Sequence, residues 1–315
     1  MTARFHTDQA LAPGTELALP DNAARHAQVL RLQPGDAITL FNGLGGEWQA
    51  QIVAMGRKAV TVRLLAHQRI EHELAWPVTL AVGMPANERM DGLVEKATEL
   101  GVAAIQPLVC ERSVLRVAGD RAQRKAAHWQ AVAAAACEQS GRNRLPAVAA
   151  PLLLRDWLAA LPSLPALNDL NGQNGQNGQN GQNSQNGQNG QNSQNGQNGQ
   201  NGQNTLHAPT ALRLLLSLAP GAAPLAAALV APGRPGRQAL ITVLSGPEGG
   251  FSAAEMALAQ AAGFCPVTLG PRVLRADTAP LAALAAIGCF AALAAIGSFA
   301  ALAAIGSFAA LETAP

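Results

Sequence analysis

Residues 244–255, LSGPEGGFSAAE, surround one carboxylate, that of Glu248, with three glycines. The preceding segment 239–245, ALITVLS, is apolar and β-branched, as expected of a buried strand. Ser252 and Glu255 then have the spacing of a capping box, which predicts that a helix begins there. The glycine loop is therefore expected between the carboxyl end of a strand and the amino end of a helix, where open α/β sheets bind ligands.

The chemistry of this loop argues against a phosphate ligand. A Walker-type loop carries Lys and then Ser or Thr after its last glycine, and this loop has neither. Pro247 lacks an amide donor, and Glu248 would repel a phosphate. A dinucleotide-binding glycine fingerprint does not fit either, because it lies at the start of its domain and too few ordered residues follow this loop. A carboxylate among exposed glycine backbone suits ribose hydroxyls, the edge of adenine, or the ammonium and sulfonium of S-adenosylmethionine. The alternative is a structural turn in which Glu248 caps the following helix.

A second strand, loop and helix follow directly in residues 264–284, FCPVTLGPRVLRADTAPLAAL. The helix is predicted to begin at Asp277–Thr278, with Pro280 in its first turn. Two successive units of this kind bring residues 246–250 and 269–275 to the same edge of one sheet.

The composition limits the class of protein but does not identify its binding partner. At 315 residues and 49% hydrophobic content, the chain is long enough for two domains with buried cores. The net charge is only +2, and nearly all 22 basic residues are arginine. Arginine suits bidentate phosphate contacts and stacking on bases, but a GC-rich coding bias explains the same enrichment. Bulk charge therefore neither demands nor excludes a nucleic-acid partner.

The four cysteines are scattered along the chain, without a CxxC pair or a histidine at ligand spacing. This pattern argues against a zinc site and against a disulfide framework, so no metal is expected. The first residues lack a basic segment followed by an apolar one, so no secretory signal is read. We expect a cytoplasmic protein.

Secondary-structure patterns divide the chain near residue 74. Residues 1–74 are rich in strand signals: DAITLFNG and EWQAQIVAM form a predicted hairpin, and AVTVRLLA supplies another strand. A short predicted helix, NAARHAQVLRL, precedes these strands. Residues 75–315 alternate strands such as VTLAVGM and AIQPLV with helices such as MDGLVEKATEL and RAQRKAAHWQAVAAAACEQS. Alternation of this kind predicts an α/β domain with a largely parallel sheet.

Two repetitive segments interrupt this pattern. An Asn-Gly-Gln repeat at 171–204 occupies most of an insertion at 168–205, and the lack of apolar side chains in the repeat predicts a disordered loop within one domain. A nine-residue repeat, LAAIG(C/S)FAA, fills 284–310. Nine residues make about two and a half helical turns, so successive copies present opposite faces. Residues 278–311 carry no charge and are long enough to span a membrane, but alanine dominates them and they lack aromatic or basic flanks, so no membrane partner is expected.

Taken together, short motifs along the chain resemble the ribosomal small-subunit uracil-N3 methyltransferases, which belong to the SPOUT class. The motifs occur in family order and cover nearly the whole chain apart from the insertion and the extra tail copies. They are RFH (4–6), HAQVLRLQPGD (26–36), EKATELGV (95–102), ERS (111–113), CEQSGRNRLP (137–146), GPEGGFSAAE (246–255) and LGPRVLRADTA (269–279).

The resemblance implies a PUA-like β-barrel at 1–74 that helps to hold RNA, followed by a SPOUT-type α/β domain at 75–315 with a trefoil knot. It implies a homodimer whose active sites draw on both subunits, and a substrate that is N3 of one uridine in 16S rRNA, within the assembled small subunit. It also implies that two loops wrap S-adenosylmethionine, largely through backbone groups. The residues carried over as cofactor contacts are Gly246, Glu248, Gly249, Gly250, Leu269, Gly270, Arg272, Val273 and Leu274. The expanded carboxyl terminus departs from the short final helix of the family, which puts the local dimer surface in question.

Methyl transfer to uracil N3 also requires removal of the N3 proton. We expect Arg275, Arg142 and Arg144 to stabilise negative charge on the uracil oxygens or to grip a flanking phosphate. Glu138 is the candidate proton acceptor. Glu138 and Arg142 are also four residues apart at a helix end, which is the spacing of an ordinary ion pair.

RNA contacts are expected from Arg4, His26 and Arg31 in the first domain, together with Arg144. Residues 1–74 contain seven basic and seven acidic residues, so any basic face must come from their arrangement. Two other functions stay open at this point. One is a SPOUT methyltransferase that acts on tRNA. The other is a non-catalytic, RNA-binding or membrane-tethered assembly factor, which the polar insertion and the uncharged tail favour.

Overall fold

The computed structural model describes residues 2–57, 59–162, 211–230 and 240–295, apart from the side chains of Asn87, Glu88 and Ala295. The Asn-Gly-Gln insertion at 168–205 and the tail copies after residue 295 lie outside the described residues. The described residues before Pro162 and after Thr210 belong to one compact unit.

The amino-terminal part contains a five-stranded mixed sheet. Its elements are β1 (Ala3–His6), β2 (Glu16–Ala18), α1 (Asp21–Val29), β3 (Ala37–Phe41), β4 (Glu47–Met55) and β5 (Val60–Gln68). The strand order is β1-β3-β4-β5-β2, in which β1 is parallel to β3 and every other pair is antiparallel. The core of this part lies between the sheet and α1 and includes the buried side chains of Phe5, Ile38, Leu40, Ile52 and Val62. The predicted β3–β4 hairpin is confirmed, whereas the short strands β1 and β2 gave no periodic signal in the sequence.

The second sheet is parallel throughout, which confirms the predicted α/β architecture. Its strands are β6 (Val78–Gly83), β7 (Ala104–Val109), β8 (Ala147–Val148), β9 (Leu152–Leu153), β10 (Ala211–Leu216), β11 (Ala223–Pro224), β12 (Leu240–Ser245) and β13 (Cys265–Thr268). The helices are α2 (Asn87–Glu99), α3 (Gly119–Ser140), α4 (Leu154–Ala160), α5 (Leu225–Val230), α6 (Ala253–Ala261) and α7 (Thr278–Ala295).

The strand order, β11-β13-β10-β12-β6-β7-β8, positions the candidate site. Strand β10 lies between β12 and β13, and β12 also pairs with β6. Because all these strands are parallel, the loops that follow β12 and β13 leave from the same edge on either side of β10. This confirms the expectation that residues 246–250 and 269–275 meet.

Local signals set the helix ends as the sequence predicts. The Ser252 side chain accepts a hydrogen bond from the Glu255 backbone N–H, and the Glu255 side chain accepts one from the Ser252 N–H, so the predicted capping box of α6 is confirmed. Helix α3 ends at Gly141, which adopts the left-handed conformation with φ of 81° that glycine accepts at no steric cost.

Helix α7 contains the first copy of the nine-residue repeat and begins the second. Leu284, Ile287 and Ala291 are buried in the main core. Leu293, nine residues after the fully buried Leu284, is 39% exposed. The expected reversal of faces between copies is therefore confirmed where α7 shows it. Across the described ranges, no helix combines the length and apolar character that a membrane crossing needs.

Candidate active site

A pocket of about 570 Å³ lies where β10, β12 and β13 end. Its volume is within the usual range for a site that binds a small molecule or cofactor. The walls come from three loops, from Arg89 in the first turn of α2, and from the first turns of α6 and α7. The lining residues are Arg89, Leu216, Ser217, Leu218, Ser245, Gly246, Pro247, Glu248, Gly250, Phe251, Met256, Val267, Leu269, Arg272, Val273, Leu274, Arg275, Ala276 and Ala279.

Close backbone packing holds the 246–250 loop in place. A Cβ atom on Gly83, at the end of β6, would stand 2.5 Å from Cδ and 2.6 Å from the nitrogen of Pro247, so only glycine fits there. Gly249 does not line the pocket and packs instead against Arg112, whose Nη1 donates a hydrogen bond of 3.1 Å to the Gly249 carbonyl. The loop therefore has the pocket on one side and Arg112 on the other.

Glu248 faces the pocket, and its carboxylate already has two partners in the protein. Its Oε1 accepts from the backbone N–H of Ala86 at 3.2 Å and lies 3.4 Å from Nη1 of Arg89. The alternative that Glu248 caps the following helix is wrong, because Ser252 and Glu255 cap α6 and Glu248 contacts the residue that precedes α2.

The 269–275 loop forms the other wall of the pocket. The Thr268 hydroxyl bonds both the N–H and the carbonyl of Gly270, which fixes the start of this loop. Gly270 lines a smaller neighbouring cavity rather than the pocket itself. Arg272 and Arg275 line the pocket and are exposed to solvent.

The pocket carries charges of both signs. Among the described lining residues, Glu248 is the acid, and Arg89, Arg272 and Arg275 are the bases. The pocket therefore offers one site that attracts a cation and three guanidinium groups that attract anions. This combination suits a cationic small molecule that must meet a polyanionic partner.

Three predicted residues lie at a different place, which we call the junction: the contact of β1 and residues 70–73 with the end of α3. Arg142 is 3% exposed, ion-paired with Glu73, and donates from Nη1 to the Thr98 carbonyl at 2.8 Å. The Arg4 side chain is 12% exposed, ion-paired with Glu47, and donates to Asn143 Oδ1 at 2.6 Å. Neither residue lines the pocket.

Glu138 completes the junction and lies away from the pocket lining. Its carboxylate accepts a hydrogen bond of 2.9 Å from the His6 backbone N–H, and Oε2 lies 3.9 Å from Nδ1 of His26. Burial raises the pKa of the Glu138 carboxyl above its usual value, although the His6 hydrogen bond and the nearby His26 oppose the rise. The Glu138–Arg142 ion pair allowed by their spacing does not form, because Arg142 turns to Glu73 instead.

The remaining predicted RNA contacts are on the surface. His26 is half-exposed on α1 and packs edge-on against Phe5. Arg31 is exposed just after α1, with a positive φ of 57°. Arg144 is exposed and pairs with Glu71 at 3.2 Å. The RNA contacts expected from these three residues and from Arg4 stay predictions. The burial of the Arg4 side chain does not support an RNA contact by that residue.

Sequence profiles of known families match both parts of the chain. A profile described as an RNA methyltransferase domain matches residues 72–191 and 202–288, and one described as an RNA methyltransferase PUA domain matches residues 19–65. Ribosomal RNA small subunit methyltransferase E of Synechocystis is 34% identical over 260 residues, which are 82% of this chain and 68% of that protein. The chain belongs to this RNA methyltransferase family.

Solved structures of the family share the fold. Ribosomal RNA small subunit methyltransferase E from Neisseria gonorrhoeae, bound to S-adenosylmethionine, is 30% identical with a TM-score of 0.71, and the alignment covers 92% of this chain and 98% of that one. A putative methyltransferase from Legionella pneumophila, in complex with the same cofactor, is 29% identical with a TM-score of 0.71 and the same coverage. A SPOUT-type methyltransferase domain preceded by a PUA-like domain is thereby confirmed, whereas the knot stays a prediction.

The sequence did not point to several pocket residues. Leu216 is the last residue of β10, and Ser217 and Leu218 follow it; the rule that ligands bind where parallel strands end could have found them. Arg89 gave no such signal, because its place in the pocket depends on β6 pairing with β12, which are far apart in the chain.

Proposed function

We propose that this RNA methyltransferase transfers the methyl group of S-adenosylmethionine to N3 of a uridine in 16S rRNA. The pocket at the ends of β10, β12 and β13 carries the proposal, because the two loops expected to hold the donor form its walls. The names of the relatives support small-subunit ribosomal RNA as the substrate, and a relative's structure with bound S-adenosylmethionine supports that donor. The uridine N3 atom comes from the resemblance of the sequence motifs to the uracil-N3 methyltransferases.

The described residues fit this cofactor. Gly83 leaves room for the tight Gly246–Pro247 turn, and the turn exposes its backbone to the pocket. Glu248 supplies a carboxylate for a cationic donor, and Leu269 and Phe251 add apolar surface. When bound, S-adenosylmethionine supplies an electrophilic methyl group. The chain's contribution is then to hold the donor and to bring one nucleobase into line with it.

Uracil N3 must lose a proton as the new N–CH3 bond forms and the S–CH3 bond breaks, which leaves S-adenosylhomocysteine. We assign the stabilisation of the negative charge that develops on the uracil oxygens to Arg275, which is exposed and lines the pocket. We propose that the proton passes to solvent, because Glu248, the acid among the described lining residues, is assigned to the donor. Glu138 and Arg142 lie at the junction, so we assign them to positioning the PUA-like domain, with the catalytic role tested below.

We further propose a cytoplasmic homodimer, with an RNA-holding domain at 1–74 and a catalytic domain at 75–315. The described part of α7 carries no charged residue, and it exposes Cys289 and Leu293, which suits a face covered by a second copy. Sedimentation velocity would give a dimer mass at micromolar concentration. A concentration-independent monomer contradicts this part of the proposal.

The decisive experiment incubates the protein and methyl-labelled S-adenosylmethionine with small ribosomal subunits from cells that lack this methyltransferase. Label should reach 16S rRNA, and mass spectrometry of the nucleosides should identify 3-methyluridine. Free 16S rRNA and total tRNA serve as parallel substrates. Label in tRNA alone would make the protein a tRNA methyltransferase, and RNA binding without any label would indicate an assembly factor.

A further inference from the structure

Arg89 is a pocket arginine to which the proposed chemistry gives no role. It reaches the pocket from the first turn of α2, whereas Arg272 and Arg275 reach it from the 269–275 loop. Its side chain is 41% exposed, and the Nη1 atom lies 3.4 Å from Oε1 of Glu248. Good hydrogen bonds between charged groups are about 2.7–2.9 Å long, so this contact is loose.

Glu248 therefore has two competing cationic partners. One is Arg89, and the other is the cationic donor that the pocket is proposed to bind. When the donor approaches the Glu248 carboxylate, part of the attraction that holds the Arg89 guanidinium is lost. Arg89, Arg272 and Arg275 then present their charges together to whatever enters next, which in this family is RNA.

We propose that Arg89 is an RNA-binding residue which Glu248 restrains until the donor occupies the pocket. This inference rests on the proposed function, because it takes the donor to be S-adenosylmethionine. Donor binding and RNA binding are then coupled through one shared carboxylate. By linkage, RNA must tighten donor binding by the same factor by which the donor tightens RNA binding.

Filter binding of an unmodified 16S rRNA transcript tests the coupling. The protein is measured alone, with sinefungin as an unreactive cationic analogue, and with S-adenosylhomocysteine, whose sulfur is neutral. Sinefungin should tighten RNA binding about two- to fivefold, since a half-exposed ion pair restrains its arginine only weakly. The slope of log affinity against log salt should steepen by about one, as expected for one added phosphate contact. S-adenosylhomocysteine should have a smaller effect.

Two variants locate the effect. R89Q should bind sinefungin but lose both the tightening and the change in salt slope, while R89K, which keeps the charge, should retain them. E248Q should bind RNA without any analogue as tightly as the wild type does with sinefungin. R116Q is the matched control, because Arg116 is exposed and bonds the Glu111 carbonyl outside the pocket.

The outcomes separate this inference from the proposed function. If sinefungin and S-adenosylmethionine fail to bind the wild type, the proposed function falls, and this inference falls with it. If S-adenosylmethionine binds and 16S rRNA is methylated, but sinefungin leaves RNA affinity unchanged or still raises it in R89Q, the coupling alone is overturned.

Discussion

The pocket and the junction both gather arginines and glutamates, but they differ in what those charges contact. In the pocket, Arg272 and Arg275 are exposed, and Glu248 holds Arg89 only loosely. At the junction, Arg142 is buried against Glu73 and a backbone carbonyl. Charges that are already satisfied inside the fold stabilise an arrangement, whereas loosely held charges are available to a ligand.

Arg142→Met should have the largest effect on the junction. It leaves the Glu73 carboxylate and the Thr98 carbonyl without their shared donor, which should lower the free energy of unfolding by about 3–5 kcal/mol. Urea denaturation measures this loss, and calorimetry should show unchanged donor affinity for the protein that remains folded.

Arg63→Met is the control for that variant, because Arg63 pairs with Glu16 at the surface and its removal should cost less than about 1 kcal/mol. If R142M keeps wild-type stability but loses methylation, Arg142 acts on the substrate. In that case the distinction between the two regions fails.

Arg275→Ala should have the largest effect on the pocket, and the effect should be on rate rather than stability. Loss of one group that stabilises developing charge lowers a rate by about 10²–10³-fold. Methylation of small subunits should fall by that factor, while donor affinity stays nearly intact because Arg275 is not among the residues expected to contact the donor. An equal loss of both would place Arg275 in the donor site. Arg116→Ala, outside the pocket, should retain the wild-type rate.

Gly83→Ala tests whether the pocket depends on backbone packing as well as on charge. The added Cβ would overlap Pro247, so the 246–250 loop must shift. Overpacking usually costs about 1–3 kcal/mol, and because the loop that must shift forms a wall of the pocket, we expect donor binding to weaken by up to about that amount. Gly92→Ala in α2 is the control, since a Cβ there meets nothing within 4 Å. Unchanged donor affinity in G83A would show that the loop adapts without cost.

The same comparison explains how far the sequence could be interpreted. Both donor loops could be predicted, because β-branched runs, glycines and the Ser252–Glu255 capping box are local signals. The roles of Arg4 and Arg142 could not be predicted, because their partners Glu47 and Glu73 are 43 and 69 residues away. An arginine in a family motif has the same local sequence whether it is buried in an ion pair or open to a ligand. Only the tertiary fold distinguishes the two cases.

Glu138→Gln should have the smallest effect of these variants, a change in stability. It tests most directly whether a junction residue acts on the stability of the fold rather than on the reaction. Burial raises the pKa of the Glu138 carboxyl, so the folded chain holds that proton more tightly than the unfolded chain does. The wild type therefore loses stability as the pH rises from the ordinary glutamate pKa, about 4.3, through the raised native value. Gln does not titrate, and its carbonyl can still accept the hydrogen bond from the His6 N–H.

Urea denaturation should accordingly show E138Q to be more stable than the wild type above that pH window, with the gap closing below it. Glu16→Gln, which removes an exposed carboxylate, controls for the change in net charge. Methylation at neutral pH should persist in E138Q, because a junction residue acts through the position of the PUA-like domain. If methylation disappears while stability is unchanged, Glu138 is the proton acceptor. Its carboxylate would then have to act in the active site of a second subunit, since it does not line the pocket of its own chain.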